Sequence, residues 1–182
     1  MARCKLPALC LQSGGHGDHS LRRPASPRAT RRQAGARAPS ESRDPEGLIE
    51  LEFAEAFRYS LNELLRRPDL FGFWTALFVL ENPRTICGIG GFKGPPGADG
   101  AVEIGYSIAP GFRGRGLATE AARELVRLAF ADPRVVVVVA HTLAVWNAST
   151  RVLEKNGFGF VRELVDPKEH PDPIWRWELQ RR

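Results

Sequence analysis

The sequence predicts a mixed α/β domain with helices on both faces of one sheet, and three observations carry that prediction. Residues 101–109 alternate in polarity and run through a Pro/Gly/Arg turn directly into a periodic helix. Val135–Leu143 (VVVVVAHTL) is nearly all apolar, as expected of a parallel strand covered on both faces. The segment GPPGADG (94–100) is a hairpin loop between two strand-like runs.

The elements follow in order. Residues 1–46 carry no periodic apolar pattern and many Arg, Pro, Ser and Gly, so we expect a disordered basic tail and a folded domain over 47–182. From Leu48 onward, Leu51, Ala54, Phe57, Leu61, Leu64 and Leu65 recur at helical spacing, and Pro68 ends that helix. Residues 71–80 are aromatic and aliphatic throughout, the pattern of a buried strand. A second strand spans 85–92 and a third begins at Ala101. The helix from about Gly116 to Ala131 buries Ala118, Ala121, Ala122, Leu125 and Ala129, residues small enough to let it lie close to a sheet; Asp132-Pro133 stops it. After the 135–143 strand, residues 147–155 form a short helix with Asn147 or Ser149 available as cap and Asn156-Gly157 as terminator. Two strands, 158–165 and 173–179, close the chain.

Charge is divided unevenly. Residues 1–37 hold eight Arg/Lys against one Asp, or +7, leaving 18 bases against 20 acids, or −2, for the rest of the chain. A nucleic-acid role would have to rest on the tail alone, and we do not expect one. Three cysteines without a CxxC pair give neither a disulfide framework nor a structural zinc site, so we expect a reduced, cytoplasmic protein with no metal. No apolar stretch approaches the ~20 residues that span a bilayer, so no membrane role is expected. Leu6–Leu11 is too short for a signal-peptide core, and although the Arg/Ser-rich start resembles a transit peptide, a disordered extension is the preferred reading.

The chemistry concentrates at the turn after residue 109. Arg113, Gly114, Arg115, Gly116 and Ala118 form a basic bend with little side-chain bulk at a helix mouth. Uncommitted N–H groups, the positive end of the helix dipole and two guanidinium groups would meet there, a combination that binds phosphate or pyrophosphate. No Gly-Lys-Ser/Thr follows, so it is not a P-loop, and the glycines do not fit the dinucleotide spacing. On the preceding strand Glu103, Gly105, Ser107 and Ala109 point one way, and Val102, Ile104, Tyr106 and Ile108 the other. Glu103 therefore shares its face with three small residues, which leaves open volume beside a carboxylate that could deprotonate an ammonium group, directly or through water. The alternative is that Glu103 pairs with a neighbouring Arg across the sheet. His141 reads as a satisfied core imidazole or a proton shuttle, Cys87 as core and Tyr106 as packing.

The segment GFRGRGLA (111–118) resembles the acetyl-CoA pyrophosphate signature of the GNAT acetyltransferases, Gln/Arg-x-x-Gly-x-Gly/Ala, here Arg113, Gly116 and Ala118. The segments EIGYSIAP (103–110) and NASTRVLEKNGF (147–158) are similar to those of the branch containing the ribosomal-protein alanine acetyltransferases, and the likeness covers about residues 51–179. It implies a mixed, mostly antiparallel sheet whose central parallel strands, 101–109 and 134–143, splay apart around the thioester. Ile108 and Ala109 would bond the pantetheine amides through their backbone. The N–H groups of Gly114, Arg115, Gly116, Leu117, Ala118 and Thr119 would hold the pyrophosphate, and Asn147 would meet the pantetheine arm. Glu103 would lie near the acceptor amine.

The implied activity is acetyl transfer from acetyl-CoA to a primary amine, a protein N-terminus or a small molecule, by direct attack. A non-catalytic CoA-binding module whose tail recruits RNA or an acidic partner is the competing reading. A homodimer is compatible with either. The chain departs from the family pattern in two places: nothing in residues 1–47 reads as the usual first edge strand, and many relatives place the cofactor Asn one position earlier, where this chain has Trp146.

Overall fold

The computed structural model describes residues 4–5, 51–70, 72–81, 84–165 and 172–182, with side chains from residue 57 onward. Strands β1 (Cys4–Lys5), β2 (Thr75–Glu81), β3 (Arg84–Phe92), β4 (Ala101–Ile108), β5 (Val137–Leu143), β6 (Gly159–Leu164) and β7 (Ile174–Gln180) form one sheet in the order β1-β2-β3-β4-β5-β7-β6. Helix α1 spans Leu51–Arg66, α2 Leu117–Ala131 and α3 Ala148–Lys155. Every pairing is antiparallel except β4 with β5. The mixed, mostly antiparallel sheet with helices on both faces is thus the architecture the sequence predicts.

Strand alternation divides the sheet's two faces. Val102, Ile104 and Ile108 of β4 pack with Leu117, Ala121 and Leu125 of α2 in the main core, which Leu153 of α3 and Trp177 of β7 extend. Ala121 and Ala122 are almost wholly buried, as a helix lying close on its sheet requires. A smaller cluster of Ile89 and Ala109, with Phe57 of α1 packed against it, occupies the opposite face.

One expectation changes. The segment expected as a strand from residue 71 begins at Thr75 instead, because residues 72–74 are still turning and Gly72 sits at φ +105°, outside strand geometry. Nothing in residues 1–47 reads as an edge strand, which left its presence open, and Cys4 pairs with Leu80 and Lys5 with Val79. A two-residue strand has no period to read; its partner defines it. The remainder of the expected tail, 1–3 and 6–46, lies outside the described residues. Among the described residues no helix is long and apolar enough to cross a membrane.

Candidate active site

The parallel seam is short. Bridges join Ala101 to Val137, Val102 to Val138 and Glu103 to Val139, and there they stop. β4 continues to Ile108 still paired with β3, and β5 continues to Leu143 still paired with β7. Two half-sheets stay intact while the seam between them opens.

The register of β4 on β3 decides which backbone groups face the opening. Lys93 N–H donates to the Glu103 carbonyl at 3.0 Å and Ala109 N–H to the Cys87 carbonyl at 2.9 Å, so odd-numbered groups of β4 are turned toward β3. Even-numbered groups, those of Tyr106 and Ile108, face the gap. Ala109 is committed twice over, since its carbonyl also accepts from Phe112 N–H at 2.9 Å. The pairing of Ile108 with Ala109 as pantetheine contacts is therefore corrected: Ile108 faces the gap together with Tyr106, and Ala109 does not.

At the end of β4 the chain turns through Pro110–Phe112 and enters α2. Gly114 (φ +76°) and Gly116 (φ +80°) both adopt left-handed backbone, which only glycine takes without strain. Among the described residues the N–H groups of Gly114, Arg115, Gly116, Leu117, Ala118 and Thr119 have no hydrogen-bond partner, and no side chain caps the helix. A cleft of about 480 Å³ opens here, lined by the turn, by Tyr106, Ser107 and Ile108 of β4, and by α3. No metal-binding group of three His, Cys, Asp or Glu side chains occurs among the described residues.

The two arginines do not converge as the turn sequence suggests. Arg113 lines the cleft and its Nε donates to the Ile108 carbonyl at 2.9 Å. Arg115 turns back: its guanidinium donates to the Gly111 carbonyl at 2.9 Å, lies 5.4 Å from the Phe112 ring centroid, and does not line the cleft. Asn147 does not line it either. Its Oδ1 accepts from Ser149 N–H at 2.8 Å and Thr150 N–H at 3.2 Å, while Asn147 N–H donates to Thr150 Oγ1 at 3.0 Å, a reciprocal capping box that starts α3. The α3 residues that do line the cleft are Ala148, Ser149, Arg151, Val152 and Lys155. The sequence reading missed Arg151 and Lys155, although their i, i+4 spacing was there to be seen.

Glu103 stands at the other end of the opening, five residues and about 17 Å back along β4 from Ile108. Its Oε1 accepts from His141 Nδ1 at 3.0 Å and forms an ion pair with Lys93 Nζ. The cross-sheet partner is a lysine rather than an arginine, and a histidine joins it. Burial pushes the Glu103 carboxyl up, but the His141 hydrogen bond and the Lys93 charge outweigh it and hold the group below its ordinary range. His141 Nε2 is buried without a partner among the described residues. Beside them, a Cβ placed on Gly105 would meet nothing within 4 Å among the described residues, so the volume expected next to the carboxylate is open. Tyr106 lines the cleft with its phenol pushed up by burial, which keeps it neutral.

A model of the acetyltransferase (GNAT) domain matches residues 29–159, more than half of the chain. The chain belongs to the GNAT acetyltransferase family. Among curated relatives, the uncharacterized N-acetyltransferase YjdG of Bacillus subtilis is 31% identical over 107 residues, covering 59% of this chain and 64% of that protein. An Aspergillus fumigatus FsC-acetyl coenzyme A-N(2)-transacetylase is 34% identical over 72 residues, covering 40% of this chain and 31% of its own. This chain thus spans less than two thirds of either relative. Among solved GNAT-fold structures, the ribosomal-protein-S5-alanine acetyltransferase from Vibrio fischeri superposes with a TM-score of 0.57 at 18% identity, covering 79% of each chain. At that identity the likeness is one of fold.

Proposed function

We propose that the protein is an acetyl-CoA-dependent N-acetyltransferase that passes an acetyl group to a primary amine by direct attack on the thioester. The observation that carries this reading is the joint placement of the partnerless N–H cradle at the α2 mouth and the opened β4–β5 seam. The first fits a pyrophosphate and the second fits an extended amide-bearing arm. The cradle also meets a test of fit: both left-handed glycines have open space where a Cβ would stand, among the described residues. A structural neighbour at TM-score 0.57, the microcin C7 self-immunity acetyltransferase MccE, is a complex with acetyl-CoA and AMP.

In this reading the N–H groups of residues 114–119 and the Arg113 guanidinium hold the pyrophosphate. Tyr106 offers its backbone groups and Ile108 its N–H to the pantetheine arm, the Ile108 carbonyl being held by Arg113. A backbone N–H bordering the gap polarises the thioester carbonyl as charge develops on its oxygen. The acceptor enters from the Gly105 side, where Glu103 is ionised at neutral pH and so ready to receive a proton. An alkyl ammonium of pKa ~10 must lose that proton before it attacks. Because its pKa is depressed, Glu103 is a weak base, and positioning of amine against thioester supplies the larger share of the rate. No covalent enzyme intermediate is required.

Titration calorimetry with acetyl-CoA, followed by thiol release over a panel of peptide N-termini, polyamines, amino acids and aminoglycosides, tests the proposal. Binding plus amine-dependent thiol release is the expected result. Binding with no release from any amine would favour the non-catalytic module.

A further inference from the structure

The CoA reading leaves part of the cleft's charge unexplained. Among the described residues three cations line it, Arg113, Arg151 and Lys155, and no carboxylate does. Arg113, together with the α2 mouth, is enough for a pyrophosphate. Arg151 and Lys155 face the same cleft from α3, one turn apart.

Several cations elsewhere on the protein are neutralised by a carboxylate, and Arg113 in the cleft is engaged by the Ile108 carbonyl. Lys93, Arg127, Arg134 and Arg176 each have a carboxylate within 4 Å. Arg151 and Lys155 form no ion pair among the described residues, and both are exposed. Their helix is held in place. Asn147 and Thr150 fix its start, and Asn156 Nδ2 donates to the Thr119 carbonyl at 3.2 Å, tying its end to the first turn of α2. The pair therefore stands at a set position beside the phosphate cradle.

We infer that Arg151 and Lys155 bind the 3′-phosphomonoester of CoA, so that the cleft selects the free coenzyme over acyl donors lacking that group. The inference rests on the CoA reading. A phosphomonoester carries close to two negative charges at neutral pH and presents three acceptor oxygens. The planar guanidinium of Arg151 can take two of those oxygens and Lys155 supplies a point charge. A phosphopantetheine thioester on a carrier protein has only a phosphodiester and would leave both cations without a partner.

The test is titration calorimetry on the full chain with CoA and with 3′-dephospho-CoA, using wild type, Arg151→Ala/Lys155→Ala and Arg151→Lys. Wild type should prefer CoA by about tenfold or more, and the preference should shrink as salt is raised. In the double variant the ratio should fall to about one, with Arg151→Lys in between. Each ratio is taken within one protein, so a general loss of stability cancels from it. A wild-type ratio near one, or an unchanged ratio in the double variant, overturns the inference while leaving the CoA reading standing. If wild type binds neither nucleotide, the CoA reading itself falls and takes this inference with it.

Discussion

Gly116→Ala and Gly116→Glu, made as a pair, separate backbone cost from charge at the mouth of α2. Gly116 precedes the helix at φ +80°, ψ −2°. A side chain there costs about 1–2 kcal/mol in left-handed backbone strain. A Cβ would meet no heavy atom within 4 Å among the described residues, so strain is the main cost. In a domain of this size that lowers Tm by about 2–8 °C. Both variants share it, and a carboxylate at a helix N-terminus returns about 0.3–1 kcal/mol, so the Glu variant should melt no lower than the Ala variant.

Affinity should run the other way. A carboxylate about 4 Å from a phosphate charge is opposed by about 1 kcal/mol in a water-like dielectric and about 4 kcal/mol at an effective value of 20. The Glu variant should therefore bind acetyl-CoA about fivefold to a thousandfold more weakly than the Ala variant. Calorimetric melts and acetyl-CoA titrations on the same samples measure both orders. Equal affinity of the two variants would place the anion elsewhere and refute the cradle.

Three other outcomes are expected. Asn147→Ala should remove about 1 kcal/mol of stability by uncapping α3, while Asn147→Asp keeps an accepting oxygen and most of the melting temperature; equal melting of the two would exclude the cap as the reason for that residue. In hydrogen exchange, the Ala109 amide should be protected without ligand, whereas those of Tyr106 and Ile108 should gain protection only when acetyl-CoA binds, and the reverse pattern would overturn the assignment of strand parity. Glu103 has a folded pKa below its unfolded one, so its contribution to stability is full above the ordinary Glu range and is lost as pH falls through the depressed value. The Tm gap between wild type and Glu103→Gln should accordingly close on acidification, and the variant should lose the acid limb of the pH–rate profile; an unchanged profile would leave water as the base.

What could be read from the sequence divides by range along the chain. The α2 mouth was legible because strand, turn and helix are contiguous and the glycines announce their backbone directly. Strand and helix order was legible because burial imposes a period on each segment separately. The direction of the Ala109 backbone, whose role came only from the family resemblance, was not legible for the opposite reason. Whether residue 108 or 109 turns its N–H to the gap depends on register with β3, more than fifteen residues upstream, and alternation of side chains says nothing about it. Glu103 and His141 are 38 residues apart, so their hydrogen bond could not be anticipated from either strand. Asn147 carried two competing signals, a cap followed three residues later by Thr150 and a family position, and the local hydrogen bonds use the first.

The same division explains how the fold makes room for a ligand without losing its sheet. β5 keeps every pair with β7 from Val137–Gln180 to Leu143–Ile174, and β4 keeps its pairs with β3 as far as Gly88–Ile108. Opening the seam thus exposes only the inward-facing groups at the even positions of β4 and their counterparts on β5. Left to water those groups are satisfied at little cost, so the gap need not collapse. A ligand that brings amides of its own can replace that water, and one that brings a phosphate at the far end finds the partnerless N–H groups of α2. The seam selects for an extended, amide-bearing chain and the helix mouth for the anion that ends it. On the proposed reading neither half alone would distinguish CoA from a peptide or a nucleotide, and their placement at the two ends of one strand would.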